Sequence, residues 1–164
     1  MGAAGAAGAW TLLGSGSLSS DNNTLTVNLS SAKKWLRIEA RIAGYSSNSI
    51  ARLRFNGDTG GNYSWSRSDG IAAVDTLTGD SGIRVAQTSI TGSRYFTASV
   101  RNVSNQGKVV ILEGASNSES ASTAPTINHV RGVWGNTAAQ ITSVTLNSNS
   151  NLLSGTEIWV WGSD

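Results

Sequence analysis

Hydrophobic and polar residues alternate along much of this chain with a period of two. In "WLRIEARIA" (35–43), Leu36, Ile38, Ala40 and Ile42 fall on one side, and Trp35, Arg37, Glu39 and Arg41 on the other. "IARLRF" (50–55) repeats the pattern, with Arg52 and Arg54 opposite Leu53 and Phe55. Such alternation puts successive side chains on opposite faces of a strand, with one face turned to a core. If these two segments pair, Glu39 sits among Arg37, Arg41, Arg52 and Arg54 on a solvated face. Further strand-like segments are "AWTLLGSGSL" (9–18), "TLTVNL" (24–29), "NYSW" (62–65), "GIRVAQ" (82–87), "RYFTASVRNV" (94–103), "KVVILEG" (108–114), "TINHVRGVWG" (126–135), "QITSVTL" (140–146) and "GTEIWVWG" (155–162). "SNQG" between the segments at 94–103 and 108–114 is a hairpin signal. Residues 66–80 read as a long loop carrying the short apolar piece "IAAV", and residues 115–125 as a long polar connection. Both suit strands that cross between two sheets. Eight to ten strands without sustained helical periodicity predict an all-β fold, a jelly-roll-like antiparallel β-sandwich forming one domain over residues 10–164.

Composition supports that class. The 164 residues suit a single domain. Only 13% are charged, there are 19 glycines and a single proline, and Ser, Thr and Asn fill much of the remainder. Twelve basic against ten acidic residues give a net charge of +2. Lys33-Lys34 is the only adjacent basic pair and the arginines are scattered, so the basic stripe of a nucleic-acid binder is missing and no nucleic-acid partner is expected. The absence of cysteine excludes disulfides, thiolate metal sites and a Cys nucleophile. No apolar run approaches the ~20 residues of a membrane-spanning helix, and no membrane partner is expected. The opening "MGAAGAAGAW" lacks the basic start and long apolar core of a signal peptide. Residues 1–9 read as an Ala/Gly-rich arm. Its small residues, Ala3, Ala4, Ala6 and Ala7 among them, permit close backbone approach and are expected to lie against a neighbouring subunit.

Candidate chemistry is sparse. "RFNGDTGGNYSW" (54–65) gathers three glycines and several turn formers. It lacks the GxxxxGK[ST] pattern of a phosphate loop, the GxGxxG of a dinucleotide loop and the carboxylate spacing of an EF-hand. Asp58 with backbone carbonyls leaves a weak calcium site open. The preferred reading is a tight turn or corner built on Asn56, Gly57, Asp58 and Gly60, because Asn and Gly tolerate positive φ. His129 is the only histidine, so a Ser-His-Asp triad would have to use it, yet there is no GxSxG elbow. A lone His in a strand reads as structural. Paired carboxylates for glycoside hydrolysis are available among Glu39, Glu113, Glu119, Glu157, Asp58, Asp69, Asp75 and Asp80, but no spacing selects a pair. No catalytic residue, metal or cofactor is expected.

Six tryptophans are many for so few charges. In "EIWVWG", Ile158 and Val160 point one way while Glu157, Trp159 and Trp161 point the other. If the Ile/Val face is core, two tryptophans emerge on the opposite surface. Exposed aromatics then mean a contact, with a partner subunit or a sugar; the alternative is that both faces are covered. Trp10, Trp35, Trp159 and Trp161, with the alanines of the arm, are the candidate interface residues. N-x-[ST] sequons at Asn22, Asn28, Asn62 and Asn102 arise by chance in a chain this rich in Asn, Ser and Thr.

"KKWLRIEARI", "ARLRFNGDTGGNYSW" and "NLLSGTEIWVWG" together resemble a group of small virion structural proteins of tailed bacteriophages. In these a "W.LL" opening precedes an "LRI" strand, then "RFNGDTG.NY", then a closing "GS.I.V.G" strand. The counterparts are Trp10, Leu12 and Leu13; Leu36, Arg37 and Ile38; Arg54 through Gly60 with Asn62 and Tyr63; and Gly155 through Gly162. The Ala/Gly-rich start and Thr156-Glu157 depart from the pattern. The resemblance implies a jelly-roll-like, non-enzymatic domain on the virion surface that decorates a capsid as a homo-oligomer, a trimer being the first expectation. Its partners would be itself and major capsid or tail proteins. The alternative is a receptor- or glycan-binding module of a tail fibre or tail tip.

Overall fold

The computed structural model of the chain describes residues 9–68, 74–85, 93–117, 121–122 and 124–164. Among these residues it is an all-β sandwich of two antiparallel sheets. The twelve strands are β1 (Thr11–Ser17), β2 (Asn22–Asn28), β3 (Trp35–Ile42), β4 (Ala51–Phe55), β5 (Tyr63–Ser68), β6 (Asp75–Asp80), β7 (Ile83–Arg84), β8 (Ser93–Arg101), β9 (Lys108–Asn117), β10 (Thr126–Trp134), β11 (Ser143–Leu152) and β12 (Glu157–Ser163). Eight form one sheet in the order β1-β12-β3-β8-β9-β10-β5-β6, and four form the other in the order β2-β11-β4-β7. The pairing is nested: β1 lies with β12, β2 with β11, β3 with β8 and β4 with β7. Strands β9, β10, β5 and β6 then widen the larger sheet.

The period-two pattern fixes which face turns inward. Leu36, Ile38, Ala40 and Ile42 of β3 are all buried, as are Ile158 and Val160 of β12 and Val110 and Leu112 of β9. They meet Leu25 and Val27, Ala51, Leu53 and Phe55, and Val144 and Leu146 of the smaller sheet in one core. Each such side chain, fully buried, contributes roughly 1.5–3 kcal/mol relative to exposure.

Four expectations are corrected. The described residues form twelve strands rather than eight to ten, in part because β6 carries no apolar alternation. Strands β3 and β4 do not pair: they belong to different sheets, because residues 43–50 carry the chain across the sandwich. Glu39 therefore meets Arg37, while Arg52 bonds Asp80 and Arg54 bonds Ser81. The expected loop at 66–80 contains β6, an edge strand beside β5 in which Thr76 and Thr78 face Ser66 and Ser64. Of "IAAV", residues 71–73 lie outside the described residues. The expected connection at 115–125 begins with the end of β9, which stays paired with β8 and β10 as far as its last residues. Neither long connection crosses between sheets, since β5–β6 and β9–β10 are neighbours in the same sheet. The crossings are short corners instead, at residues 18–21, 56–62, 81–82 and 153–156 among others.

Candidate functional site

The stretch "RFNGDTGGNYSW" is one of those corners, leading from β4 in the smaller sheet to β5 in the larger. Asn56 and Gly57 both adopt positive φ, 53° and 67°, which Asn and Gly accept more readily than other residues. The Asn56 side chain fastens the turn to the start of β11: its Nδ2 donates to Gln140 O at 2.8 Å, and its Oδ1 accepts from the backbone N–H of Thr142 and Ser143 at 2.8 and 3.1 Å. Asp58 closes the corner. Its Oδ1 accepts from Gly60 N–H at 2.9 Å, and its Oδ2 from Asn62 Nδ2 at 3.0 Å and from the indole Nε1 of Trp134 at 2.7 Å. Beneath it the rings of Phe55, Tyr63 and Trp134 pack with centroids 5.7–6.4 Å apart. Partial burial pushes the Asp58 carboxyl up, but the hydrogen bonds from Trp134, Asn62 and Gly60 outweigh it and hold the group below the usual carboxylate range. Both carboxylate oxygens face N–H donors, whose partial positive charge would repel a cation. Among the described residues no three His, Cys, Asp or Glu side chains gather as metal ligands.

The second candidate is the outer face of the eight-stranded sheet. Here the register aligns outward side chains in rows. One row runs Trp159, Glu39, Thr97, Glu113, His129, Ser68, each opposite the next on the adjacent strand. A second runs Trp161, Arg37, Ser99, Ile111, Arg131, Ser66. At the corner end of the sheet, Trp35 stands opposite Arg101, and Val109 opposite Val133. Arg37 and Glu39 form an ion pair at 2.9 Å. Tyr95, beside Arg41 on β3, has its phenol pushed up first by partial burial and then by the Glu39 carboxylate.

The Ser68–His129–Glu113 order resembles a nucleophile, base and acid. Its geometry is poor for that chemistry. His129 Nδ1 and Glu113 Oε1 are 3.9 Å apart, beyond hydrogen-bond reach, and both side chains are largely solvated. The amides of β9 and β10 around them are engaged in the ladder rather than pointing at a reacting atom.

What marks this face is apolar exposure. Trp35 is 48% exposed, Val109 47%, Ile111 45% and Val133 37%, whereas the inward residues of the same strands are closed off almost completely. Trp35, Ser99, Arg101, Val109 and Ile111 line a shallow depression of about 320 Å³.

Of the residues singled out in the sequence, Trp35, Trp159 and Trp161 share this outer face, the last two half-buried. Trp10 and Leu12 are exposed at the edge strand β1, where Leu12 stands opposite Trp161. Ala3, Ala4, Ala6 and Ala7 lie outside the described residues, as do Asp69 and Glu119. Asp80 is buried and accepts from Trp65 Nε1, Ser81 N–H and Arg52 Nε; Asp75 pairs with Arg67 and Arg84. The Asn102 sequon is closed to a glycan: the side chain is fully buried, donating to Lys33 O and Ile141 O and accepting from Ile141 N–H. Sequence reading passed over Val109, Ile111, Val133, Arg101 and Arg131. A usable signal was present in "KVVILEG", whose unbroken apolar run places hydrophobic side chains on both faces of β9.

No family model matches the chain, and no curated protein matches it. Among solved structures, similar ones include the alginate lyase Aly36B, at 8% identity over 88% of this chain and 78% of that one, with a TM-score of 0.32. Another is the protein HCR/D-Sa-GBL1/C, at 8% identity over 89% of this chain but 38% of that one, with a TM-score of 0.30. A third is the CBM2 module of the evolved Dit of Lactobacillus casei BL23 phage J-1, at 8% identity over 93% and 79% of the two chains, with a TM-score of 0.17. Likenesses this distant say nothing about the chemistry of this chain.

Proposed function

We propose that the chain is a non-enzymatic structural protein of a virion surface, a capsid decoration or minor capsid protein that works as a homo-oligomer, with a trimer as the first expectation. The observation that carries the reading is the outer face of the large sheet. A sandwich whose inward positions are already filled still leaves Trp35, Val109, Ile111 and Val133 in water on one surface. Contiguous exposed apolar side chains of this kind mark a contact with another protein. Burial of on the order of 1,000 Å² or more would give specific attachment without chemistry. The virion setting and the oligomeric state are supported by the sequence resemblance alone.

The test is Ile111→Asp, a charge placed in the middle of the apolar surface and away from the core. Wild-type and variant chains are supplied during infection, particles are purified, and copies per particle are counted beside the mass of each protein in solution. Wild-type chain on particles and variant chain left behind supports the reading. Equal incorporation overturns it. Turnover of a host polysaccharide that is lost in Glu113→Gln would overturn its non-enzymatic part.

A second reading has its own observation. Trp159 and Trp161 stand half-buried directly opposite the ion-paired Glu39 and Arg37, which places indole rings beside polar groups as a sugar platform requires. Under that reading Trp159→Ala abolishes glycan or host binding with assembly intact; under the first it weakens assembly.

A further inference from the structure

The apolar surface carries an uneven charge. Arg101 stands next to Trp35 across the β3–β8 pair, and Arg131 next to Ile111 across the β9–β10 pair. Among the described residues neither guanidinium has a carboxylate partner: Arg101 makes no hydrogen bond, and Arg131 donates only to the carbonyl of Val130. Most of the other charges near this part of the face are held in pairs, with Lys34, the exposed residue before Trp35, as a further cation. Arg37 is held by Glu39, and Lys33 by Asp164 at 2.6 Å. Glu113 lies one residue pair further along β9, turned to His129. Val109, Ile111 and Val133 thus form an apolar patch on β9 and β10, and Trp35 faces it from β3 across the outward Ser99 and Arg101 of β8, so that Arg101 lies inside the surface and Arg131 beside Ile111. The whole spans roughly 15 Å at about 4.8 Å per strand.

A second copy placed face to face fits this surface badly. Patch-on-patch pairing would bring four guanidiniums against two Glu113 carboxylates around one desolvated contact, leaving like charges in excess at a place where each costs most. A neutral sugar finds few partners here, since of the residues lining the depression only Ser99 and Arg101 offer its hydroxyls a hydrogen bond. We propose that the occupant is a segment of another protein in which apolar residues are flanked by Asp or Glu: the apolar side chains fill the depression between Trp35 and Ile111, and the carboxylates take Arg101 and Arg131. This deepens, and rests on, the reading of the outer face as an attachment surface.

The probe is a labelled nine-residue peptide with Leu-Phe-Leu flanked on each side by three aspartates, compared with versions carrying asparagine or lysine in place of aspartate. Binding to the full chain is followed by fluorescence anisotropy in low and high salt. The acidic peptide is expected to bind at least ~10-fold more tightly than the asparagine version, as two charge pairs at a partly desolvated contact allow. Arg101→Ala with Arg131→Ala removes that preference, and added salt weakens only the acidic peptide. Ile111→Ser weakens the acidic and neutral peptides alike. These positions are outward, so unchanged urea midpoints confirm that the variants fold. Equal binding of acidic and neutral peptides, or no binding of any at 1 mM, overturns the proposal. So does a solution oligomer that Ile111→Ser dissolves, which would make the occupant a second copy, or arginine-dependent binding of an oligogalacturonate without peptide binding, which would make it an anionic glycan. Loss of charge preference with Ile111→Asp still excluded from particles rejects the acidic partner alone. Normal attachment of Ile111→Asp rejects the attachment face itself.

Discussion

The corner at residues 56–62 makes a quantitative prediction about how the two sheets are joined. Asp58→Ala removes the acceptor of three hydrogen bonds. Two of the donors, Gly60 N–H and Asn62 Nδ2, are exposed and water replaces the carboxylate at little cost. The third is replaced less readily, since water must enter where the carboxylate stood. Trp134 is fully buried, and its indole N–H, 2.7 Å from Asp58 Oδ2, loses its partner. A buried donor left unsatisfied costs about 1–3 kcal/mol, and a bond to a charged acceptor is worth about 1.5–3. Asp58→Ala should therefore destabilise by roughly 2–4 kcal/mol, and Asp58→Asn, which keeps one acceptor oxygen, by about half as much. Trp134→Phe takes away the donor and leaves a partial void among Phe55 and Tyr63, for about 2–4 kcal/mol. If the hydrogen bond is the link between corner and core, the two changes are not additive: the double variant should lose about 1–2 kcal/mol less than the sum of the single losses. The assay is urea unfolding with intrinsic tryptophan fluorescence. At a slope of about 2 kcal/mol/M, Asp58→Ala should lower the midpoint by about 1–2 M. Additivity within about 0.3 kcal/mol would refute the reasoning, because the corner would then be held by its turn geometry and the Asn56 contacts alone.

Acid should destabilise the fold through Asp58 and Asp80. The carboxyl of Asp80, like that of Asp58, is pushed up by burial but held lower still by its hydrogen bonds and by Arg52. With folded-state values depressed, the unfolded chain binds protons first, so this stability is present above the ordinary carboxylate range near pH 4 and is lost as pH falls through the folded values. Urea midpoints should fall below about pH 4–5, and Asp58→Asn with Asp80→Asn should flatten the profile. Gly132→Ala should cost about 1–3 kcal/mol, because its Cβ would sit 2.8 Å from Ile83 Cδ1 in the core; Ile83→Val, which removes that methyl, should recover part of the loss in the same titration. Lys108 is fully buried, donating to the carbonyls of Gln106 and Asn136, with burial lowering its pKa. Lys108→Met keeps the packing over Trp134 but orphans both carbonyls, so a loss of about 1–2 kcal/mol is expected, smaller than for Lys108→Ala, as measured by thermal unfolding.

How far the sequence speaks can be seen strand by strand. Period-two alternation in β3 and β12 told which side chains face inward, because a strand with one wet face must separate its residues that way. It told nothing about which strands pair. β3 and β4 look alike and lie in different sheets, and nothing local distinguishes a 43–50 hairpin from a crossing. β6 escaped notice because an edge strand of Asp, Thr and Gly with a single, exposed Leu77 buries little and therefore has no apolar alternation. The corner was legible from Asn56-Gly57, since positive φ is a local demand. Its lock was not: the partner of Asp58 is Trp134, brought to it by β10 from far along the chain.

β9 deserves a different conclusion. An unbroken apolar run reads as a strand covered on both faces. In "KVVILEG" the residues Val110 and Leu112 are covered, by the smaller sheet, while Val109 and Ile111 between them are not. The run is thus half satisfied within the molecule. Two explanations are available for the open half: chance exposure, which is common for single hydrophobic residues, or a cover supplied from outside. Chance predicts scatter. Tyr95 and Ile127 are exposed elsewhere on the same face, but Val133 stands directly opposite Val109 on β10 and Trp35 borders the same depression from β3, so four of the exposed residues gather at one end of the sheet. β3 and the consecutive strands β9 and β10 each turn an apolar side chain outward at the same end of one sheet, beside two arginines that have no carboxylate partner among the described residues. That coincidence sits at the level of the assembled sheet, which is why no single stretch of sequence displays it, and why the mismatch between a doubly apolar strand and its singly covered position is the most useful functional signal in the molecule.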